Sequence, residues 1–148
     1  MKKTLLAVMA VLMMSVMLIA GCSSGEEAAP ADKKSGTTTI GFSISTLNNP
    51  FFVSVKDGVE AKAKELGVNV KIVDAQNDPA KQANDVADLL QQGVSVLLVN
   101  PVDSAAISTS VEAANKAKIP VIALDRSADK GTIASLVASD NVKGGEMA

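Results

Sequence analysis

From Thr39 onward, the hydrophobic positions alternate between a strand pattern and a helix pattern. Short apolar segments predict five strands, over residues 39–44, 68–73, 94–99, 120–124 and about 133–138. Apolar residues at helical spacing predict three helices, over residues 50–66, 78–92 and about 104–118. A further helix is expected to begin near residue 141. This order predicts an α/β fold with a doubly wound parallel sheet in flavodoxin-like order and helices on both faces.

Proline and glycine mark the expected helix boundaries. Asn49-Pro50 and Asp78-Pro79 each place a capping side chain before a proline at the first helical position. Gly67 follows the first helix and predicts its C-terminal cap, and Gly93 is expected to terminate the second helix. The helical residues expected to face the sheet are Phe52, Val55, Val59, Ala63, Leu66, Ala83, Val86, Ala87, Leu90, Ile107, Val111 and Ala114.

The first 38 residues have a different character. Lys2 and Lys3 precede an apolar run over residues 5–20, which favours a signal peptide over residues 1–21. The sequence Ile19-Ala20-Gly21-Cys22 resembles a bacterial lipobox, in which the cysteine becomes the lipid-modified (palmitate-bearing) first residue. An ordinary signal peptide with an incidental cysteine is the alternative. Residues 22–38 are rich in Ser, Gly, Glu, Ala and Lys, which is typical of a flexible tether.

Composition and charge argue against several classes of function. Removing residues 1–21 takes two of the 14 basic residues, so 12 remain against 16 acidic ones, a net charge of about −4. A mildly acidic chain with a single arginine and no basic run does not favour nucleic-acid binding. One cysteine and no histidine offer no disulfide and no metal site, and no cofactor is expected.

Enzyme motifs are also missing from the sequence. It has no histidine for general-base catalysis, no glycine-rich phosphate loop and no G-x-S-x-G motif. A phosphoacceptor receiver domain has the same alternation of elements, but its third strand should end in Asp, and this one ends in Asn100. Asp74 with Asp125 could act as a glycosidase pair only if their spacing were suitable.

Polar residues follow the predicted strands where parallel strand ends form one edge of the sheet, the usual ligand-binding edge of such folds. They are expected to form a lip that is hydrophilic along its whole length. Asp74 and Asp103 are more simply explained by a strand-end turn and an N-cap, and Asp78 by a cap. The lip residues are Asn48, Asn49, Asp74, Gln76, Asn100, Asp125 and Arg126.

Two pairs of neighbours stand out along this edge. Phe51 and Phe52 point about 100° apart on a helix, so one can pack inward while the other stays at the helix mouth, where it would stack on a sugar ring. Arg126 has a planar guanidinium beside the Asp125 carboxylate, a pairing of donors and acceptor that suits vicinal hydroxyls. The alternatives are two core phenylalanines, and either a structural ion pair or a capping Asp beside a solvated Arg.

Four motifs from residue 39 to the end carry a family resemblance: residues 45–52, 100–104, 119–126 and 138–141. With them, the chain resembles the bacterial ribose-binding proteins of the type 1 periplasmic-binding-protein family, the sugar-capturing components of ABC importers, in lipoprotein form. Sugar-binding repressors share the fold but carry a helix-turn-helix headpiece, where this chain has a signal and a tether.

The resemblance implies a site, a location and partners. In the family, two lobes close on one sugar; here Asn49, Asp125 and Arg126 would hydrogen-bond ribose hydroxyls, while Phe51 and Phe52 would flank the ring. The protein would be a monomer, lipid-anchored on the extracytoplasmic face of the cell membrane, with ABC permease subunits as partners.

The resemblance also implies a domain organisation. Residues 39–148 correspond to the N-terminal lobe, and we expect a truncated chain in which the second lobe is absent. The competing hypotheses are a small membrane-tethered α/β enzyme acting on sugars or phosphosugars, and a binding protein for another pentose, a hexose or a furanosyl signal molecule.

Overall fold

The computed structural model describes residues 38–148. The predicted signal peptide, Cys22 and nearly all of the predicted tether lie outside the described residues. The strands are β1 (Thr39–Ile44), β2 (Asn69–Asp74), β3 (Val96–Val99), β4 (Val121–Leu124) and β5 (Ser135–Val137). The helices are α1 (Pro50–Leu66), α2 (Pro79–Gln91), α3 (Ser108–Lys116) and α4 (Asn141–Glu146). No helix of the described range is both long enough and apolar enough to span a membrane.

All five strands are parallel and lie in the order β2-β1-β3-β4-β5. This is the flavodoxin-like order, so the predicted fold class is confirmed. β1, second from one edge, pairs with β2 on one side and with the central strand β3 on the other. The carboxyl ends of β1, β3 and β4 are therefore neighbours at one edge of the sheet.

The two faces of the sheet are covered unequally. α2 and α3 cover one face over a continuous core. The α1 crossover runs from β1 to β2, opposite in direction to the α2 and α3 crossovers, so right-handed connections place α1 on the other face. On the α1 side, Phe42 and Ile44 are fully buried, whereas Leu98 and Ile122 are only partly buried. The buried core on the α2 and α3 side consists of Val86, Leu89, Val94, Leu97, Val99, Ile107, Val111, Ala114 and Val121.

The predicted N-caps of α1 and α2 and the predicted C-cap of α1 are confirmed. The Asn49 side chain accepts a hydrogen bond from the Phe51 N–H, and the Asp78 side chain accepts from two N–H groups of α2. Gly67 ends α1 in the left-handed conformation, at φ 66°, and donates to the carbonyls of the last turn. At the end of α2, Gln92 takes the cap position and Gly93 follows it at φ 71°. Proline and asparagine or aspartate were sufficient signals for both helix starts.

Some inward positions were wrong. Leu66 is 61% exposed and Ala87 is exposed, so neither packs on the sheet. The buried stripe of α2 instead consists of Gln82, Val86 and Leu89. Because Gln82 is polar, the apolar residues alone indicated a face of α2 that is offset by one residue from the buried one.

Several element boundaries also differ from the predictions. α3 begins at Ser108 rather than near residue 104, because the Asp103 carboxylate accepts from Ala106 N (2.7 Å) and holds a separate turn over residues 104–107. β3 begins at Val96 rather than at Val94, which is buried in the segment before the strand. The remaining strands start or end within about two residues of the predicted positions, as is usual for strand ends.

The loop between β4 and β5 packs closely on α3 at Gly131. This glycine has φ 89°, and a Cβ placed on it would lie 2.6 Å from Val111 Cγ1, inside the buried core. We expect Gly131→Ala to lower the free energy of unfolding by about 2 kcal/mol or more, through both backbone strain and overpacking. Urea denaturation followed by circular dichroism measures this change.

The matched control is Gly58→Ala in α1. A Cβ at Gly58 meets no atom within 4 Å, and the residue lies inside a helix. We therefore expect Gly58→Ala to raise the free energy of unfolding by about 0.5–1 kcal/mol. Equal effects of the two substitutions would contradict this description of the β4–β5 loop.

Candidate functional site

A groove of about 240 Å³ lies at the carboxyl edge of the sheet, between the start of α1 and the ends of β4 and β5. Six of its nine lining residues are apolar, so it suits a ligand that presents one apolar face. The nine residues are Phe51, Phe52, Val55, Asn100, Leu124, Asp125, Val137, Ala138 and Ser139.

The segment between β1 and α1 carries the first group of predicted site residues. Ser45 and Thr46 are buried, and Thr46 Oγ1 accepts from Asn48 N (3.1 Å) to form a tight turn. Asn49 then caps α1, its Oδ1 accepting from Phe51 N at 3.0 Å. Asn49 is exposed and lies next to the groove without lining it.

Phe51 and Phe52 both line the groove. Phe51 is 52% exposed and Phe52 is half-buried, which matches the expectation that one ring stays at the mouth of the helix. The ring centroids are 5.2 Å apart with an angle of 67° between the planes, an edge-to-face contact. Each ring therefore restrains the other while one remains accessible from solvent.

Asp125 lines the opposite wall of the groove in an unusual backbone conformation. Its φ is 65°, and the flanking residues close a γ-turn in which Arg126 N donates to Leu124 O at 2.7 Å. Asp125 N donates in turn to Val137 O (2.8 Å), which ties the turn to β5. A non-glycine residue in this conformation is strained, and such strain is often found at functional sites.

Arg126 lies beside the groove and does not line it. The residue is exposed, and its Nη1 donates to the carbonyl oxygen of Val102. None of the four ion pairs among residues 38–148 includes Arg126, so the structure does not show the alternative of an ion pair with Asp125. A guanidinium has five N–H donors, and most of them remain for a ligand.

Asn100 was predicted as part of a hydrophilic lip, and that interpretation is wrong. It is only 2% exposed. Its Oδ1 accepts from the backbone N (3.2 Å) and the hydroxyl of Ser45, and its Nδ2 donates to Leu124 O at 3.0 Å. Asn100 thus forms the floor of the groove and joins the ends of three strands, instead of offering its amide to solvent.

The β2 end of the predicted lip does not reach the groove either. Asp74 Oδ1 accepts from Gln76 N (2.9 Å), which is the strand-end turn that was expected. β2 and β4 are three strand spacings apart, or about 14 Å between the Asp74 and Asp125 backbones. Glycosidase carboxylates flank one sugar and lie about 5–9.5 Å apart, whereas Asp74 does not line the groove that Asp125 lines, so this pair does not fit that chemistry.

Asp125 is the one charged residue among the nine that line the groove. The Lys56 side chain of α1 donates hydrogen bonds to Glu60 (2.8 Å) and to the Asp57 carboxylate, and these raise its pKa above the usual value. Within residues 38–148, no three acidic, cysteine or histidine side chains lie close enough together to bind a metal ion.

Two groups of residues at the site were missed from the sequence. Val137, Ala138 and Ser139 line the groove because β5 lies beside β4. Residues 138–141 carry part of the family resemblance, but none of these three was predicted as a site residue. Gln82 is buried beneath the strand ends and bonds to the segment that follows β3. Its signal in the sequence was an amide four residues before Val86, on the buried side of α2.

Comparison with known proteins identifies the family. The model of the periplasmic binding protein domain matches residues 40–148. The chain belongs to the periplasmic binding protein family.

Two named relatives are similar to this chain. The ribose import binding protein RbsB of Bacillus subtilis (strain 168) is 56% identical over 145 residues, which is 96% of this chain and 48% of that protein. The ribose import binding protein RbsB of Escherichia coli (strain K12) is 54% identical over 110 residues, 74% of this chain and 37% of that protein. The chain therefore spans half or less of the length of these relatives.

Solved structures support the same assignment. The myo-inositol binding protein of Caulobacter, bound to myo-inositol, superposes with a TM-score of 0.71 at 34% identity, covering 77% of this chain and 39% of that one. A periplasmic ribose ABC transporter protein from Conexibacter woesei gives a TM-score of 0.71 at 25% identity, over 75% of this chain and 38% of that one.

The strain at Asp125 leads to a prediction about stability. We expect Asp125→Gly to raise the free energy of unfolding by about 0.5–1 kcal/mol, because glycine adopts a positive φ without steric cost. The control is Asp57→Gly, which makes the same substitution inside α1 and should lower the free energy of unfolding by about 0.5–1 kcal/mol. Urea midpoints measure both changes, and a loss of stability in Asp125→Gly would show that the turn is not strained.

Proposed function

We propose that this chain is the N-terminal sugar-binding lobe of the solute-binding component of an ABC importer, and that it binds ribose outside the membrane. The observation that carries the proposal is the groove that brings Phe51 and Phe52 of α1 opposite Asp125 and next to Arg126. The two relatives named ribose import binding proteins support the choice of sugar.

Each predicted site residue has a group suited to a sugar. A phenyl ring contacts the apolar face of a sugar ring, and the exposed Phe51 is the accessible one. The Asp125 carboxylate accepts hydrogen bonds from two hydroxyls, while Arg126 donates to a hydroxyl oxygen. Asn49 uses Oδ1 for the helix cap, so its Nδ2 is the group that would donate to a third hydroxyl.

The proposal is for binding without catalysis. The polar groups near the groove are hydrogen-bonding groups suited to hydroxyls, and the Asp74–Asp125 separation does not fit glycoside hydrolysis. In the family a second lobe closes over the sugar, so contacts from one lobe give only part of the affinity. Since micromolar binding corresponds to about −8 kcal/mol, half of these contacts would give a Kd near millimolar.

The rest of the proposal concerns location and partners. We propose that residues 1–21 are a signal peptide, that Cys22 bears the lipid, and that residues 22–38 tether the domain to the membrane. The protein would then act as a monomer at the extracytoplasmic surface and deliver sugar to ABC permease subunits.

Titration of the domain with ribose, followed by amide NMR shifts, tests the central point. We expect shifts at residues 45–52 and 124–126 with a Kd near millimolar, and no chemical change in the sugar. Weaker binding of ribose than of L-arabinose, xylitol or myo-inositol would reassign the ligand. Turnover of any sugar would support an enzyme instead.

Arg126→Lys tests the role of the guanidinium. Lysine keeps the charge but loses the planar set of donors, so we expect ribose affinity to fall about tenfold or more. The melting temperature should change little, because Arg126 is exposed and forms no ion pair among residues 38–148.

The control for this variant is Lys130→Gln, which alters an exposed cation in the same loop and should leave ribose affinity unchanged. A large loss of stability in Arg126→Lys with unchanged affinity would contradict a binding role.

Cys22→Ser tests the membrane anchor. We expect the variant to be released from the membrane fraction, whereas Ser23→Ala, which leaves the cysteine in place, should stay bound. Immunoblots of membrane and soluble fractions measure the distribution. Equal membrane association of both variants would reject lipidation at Cys22.

A further inference from the structure

Gln82 is a buried amide at the N-terminal end of an otherwise apolar helix face. It is 1% exposed and lies one turn before Val86 on α2. Burying an amide side chain is unfavourable unless its donors and acceptor are satisfied. The hydrogen-bonding partners of this side chain therefore show which part of the protein it organises.

The hydrogen bonds of its side chain go to β1 and to the segment that follows β3. Gln82 Nε2 donates to Asn100 O (2.9 Å) and to Ser43 Oγ (3.2 Å), and Gln82 Oε1 accepts from Val102 N at 2.9 Å. Residues 100–103 belong to no helix or strand. Gln82 thus fixes both ends of the short segment from Asn100 to Val102.

The same segment holds Arg126. The carbonyl of Val102, whose N–H is bound by Gln82, accepts the hydrogen bond from Arg126 Nη1. Asn100 in turn bonds to Leu124 O, two residues before Arg126. A continuous set of hydrogen bonds therefore runs from the buried side of α2 to an exposed guanidinium beside the groove.

We propose that Gln82 is a positioning residue for the sugar site, which sets the orientation of the Arg126 guanidinium through Val102. The role in sugar recognition rests on the function proposed above, whereas the effect on Arg126 does not. Because hydroxyl recognition depends on the direction of the N–H groups, a freely rotating Arg126 would bind sugar less well.

Arg126 is the only arginine of the chain, so its side-chain NMR signals need no assignment by mutagenesis. We expect a restricted guanidinium in the unmodified chain, with separate Nη signals and slow rotation about the Nε–Cζ bond. Gln82→Met removes the amide at nearly constant volume and should collapse these signals toward those of a freely rotating arginine, without sugar present.

Ribose affinity provides the second measurement. We expect Gln82→Met to weaken ribose binding roughly three- to tenfold, the effect of leaving one polar contact unmade. Added to Arg126→Lys, it should cause little further loss, because both variants remove the same oriented guanidinium. The control Gln91→Met makes the same change at an exposed position of α2 and should alter neither measurement.

The possible outcomes are distinguishable. An unchanged Arg126 spectrum in Gln82→Met, or losses that add fully in the double variant, would overturn the positioning role even if ribose binds. If the unmodified chain does not bind ribose, the proposed function fails and the Arg126 spectrum alone decides the role of Gln82. Should Gln82→Met be poorly folded, the comparison is made in the Gly58→Ala background, whose stabilising change lies on the opposite face of the sheet.

Discussion

The buried amide of Asn100 is the interaction on which the site depends. A parallel sheet brings the ends of β1, β3 and β4 side by side, but it does not hold the loops that leave them. Asn100 bonds to Ser45 on one side and to Leu124 on the other, so the loops before α1 and after β4 keep a fixed separation. An amide can do this because it has both a donor and an acceptor, whereas the aspartate of a receiver domain would have lacked the donor toward the Leu124 carbonyl.

The two faces of the sheet differ in how completely helices cover them: one carries the buried core, and the other borders the groove. The face under α2 and α3 carries the continuous buried core. On the other face, α1 buries Phe42 and Ile44 but leaves Leu124 partly exposed and Val137 60% exposed beside the groove. Apolar surface left uncovered next to Phe51 and Phe52 is what makes the groove suited to the apolar face of a sugar. The same uncovered surface also lowers the apolar area that the described part of the chain buries.

The sequence was sufficient for the fold and for the edge of the sheet at which the groove lies, because those depend on local signals. Hydrophobic periodicity gave the order of strands and helices, and Asn49-Pro50 and Asp78-Pro79 marked two helix starts. The roles of Asn100 and Gln82 were not predictable in this way. Both are polar residues whose partners lie 18 to 55 positions away, so only the folded chain shows that they are buried and satisfied.

The γ-turn at Asp125 affects which side chains share the groove. In a continuing strand, Leu124 and the next residue would point to opposite faces, and position 125 would face α2 and α3. The reversal of the backbone lets consecutive residues line one cavity, an apolar one followed by an acidic one. The residue at position 125 therefore has to meet two separate requirements: it must tolerate a positive φ, and its side chain must offer an oxygen acceptor to the groove. Asparagine also tolerates a positive φ and carries a side-chain oxygen acceptor. An exchange between aspartate and asparagine at position 125 would therefore change the groups offered to a ligand while keeping the γ-turn.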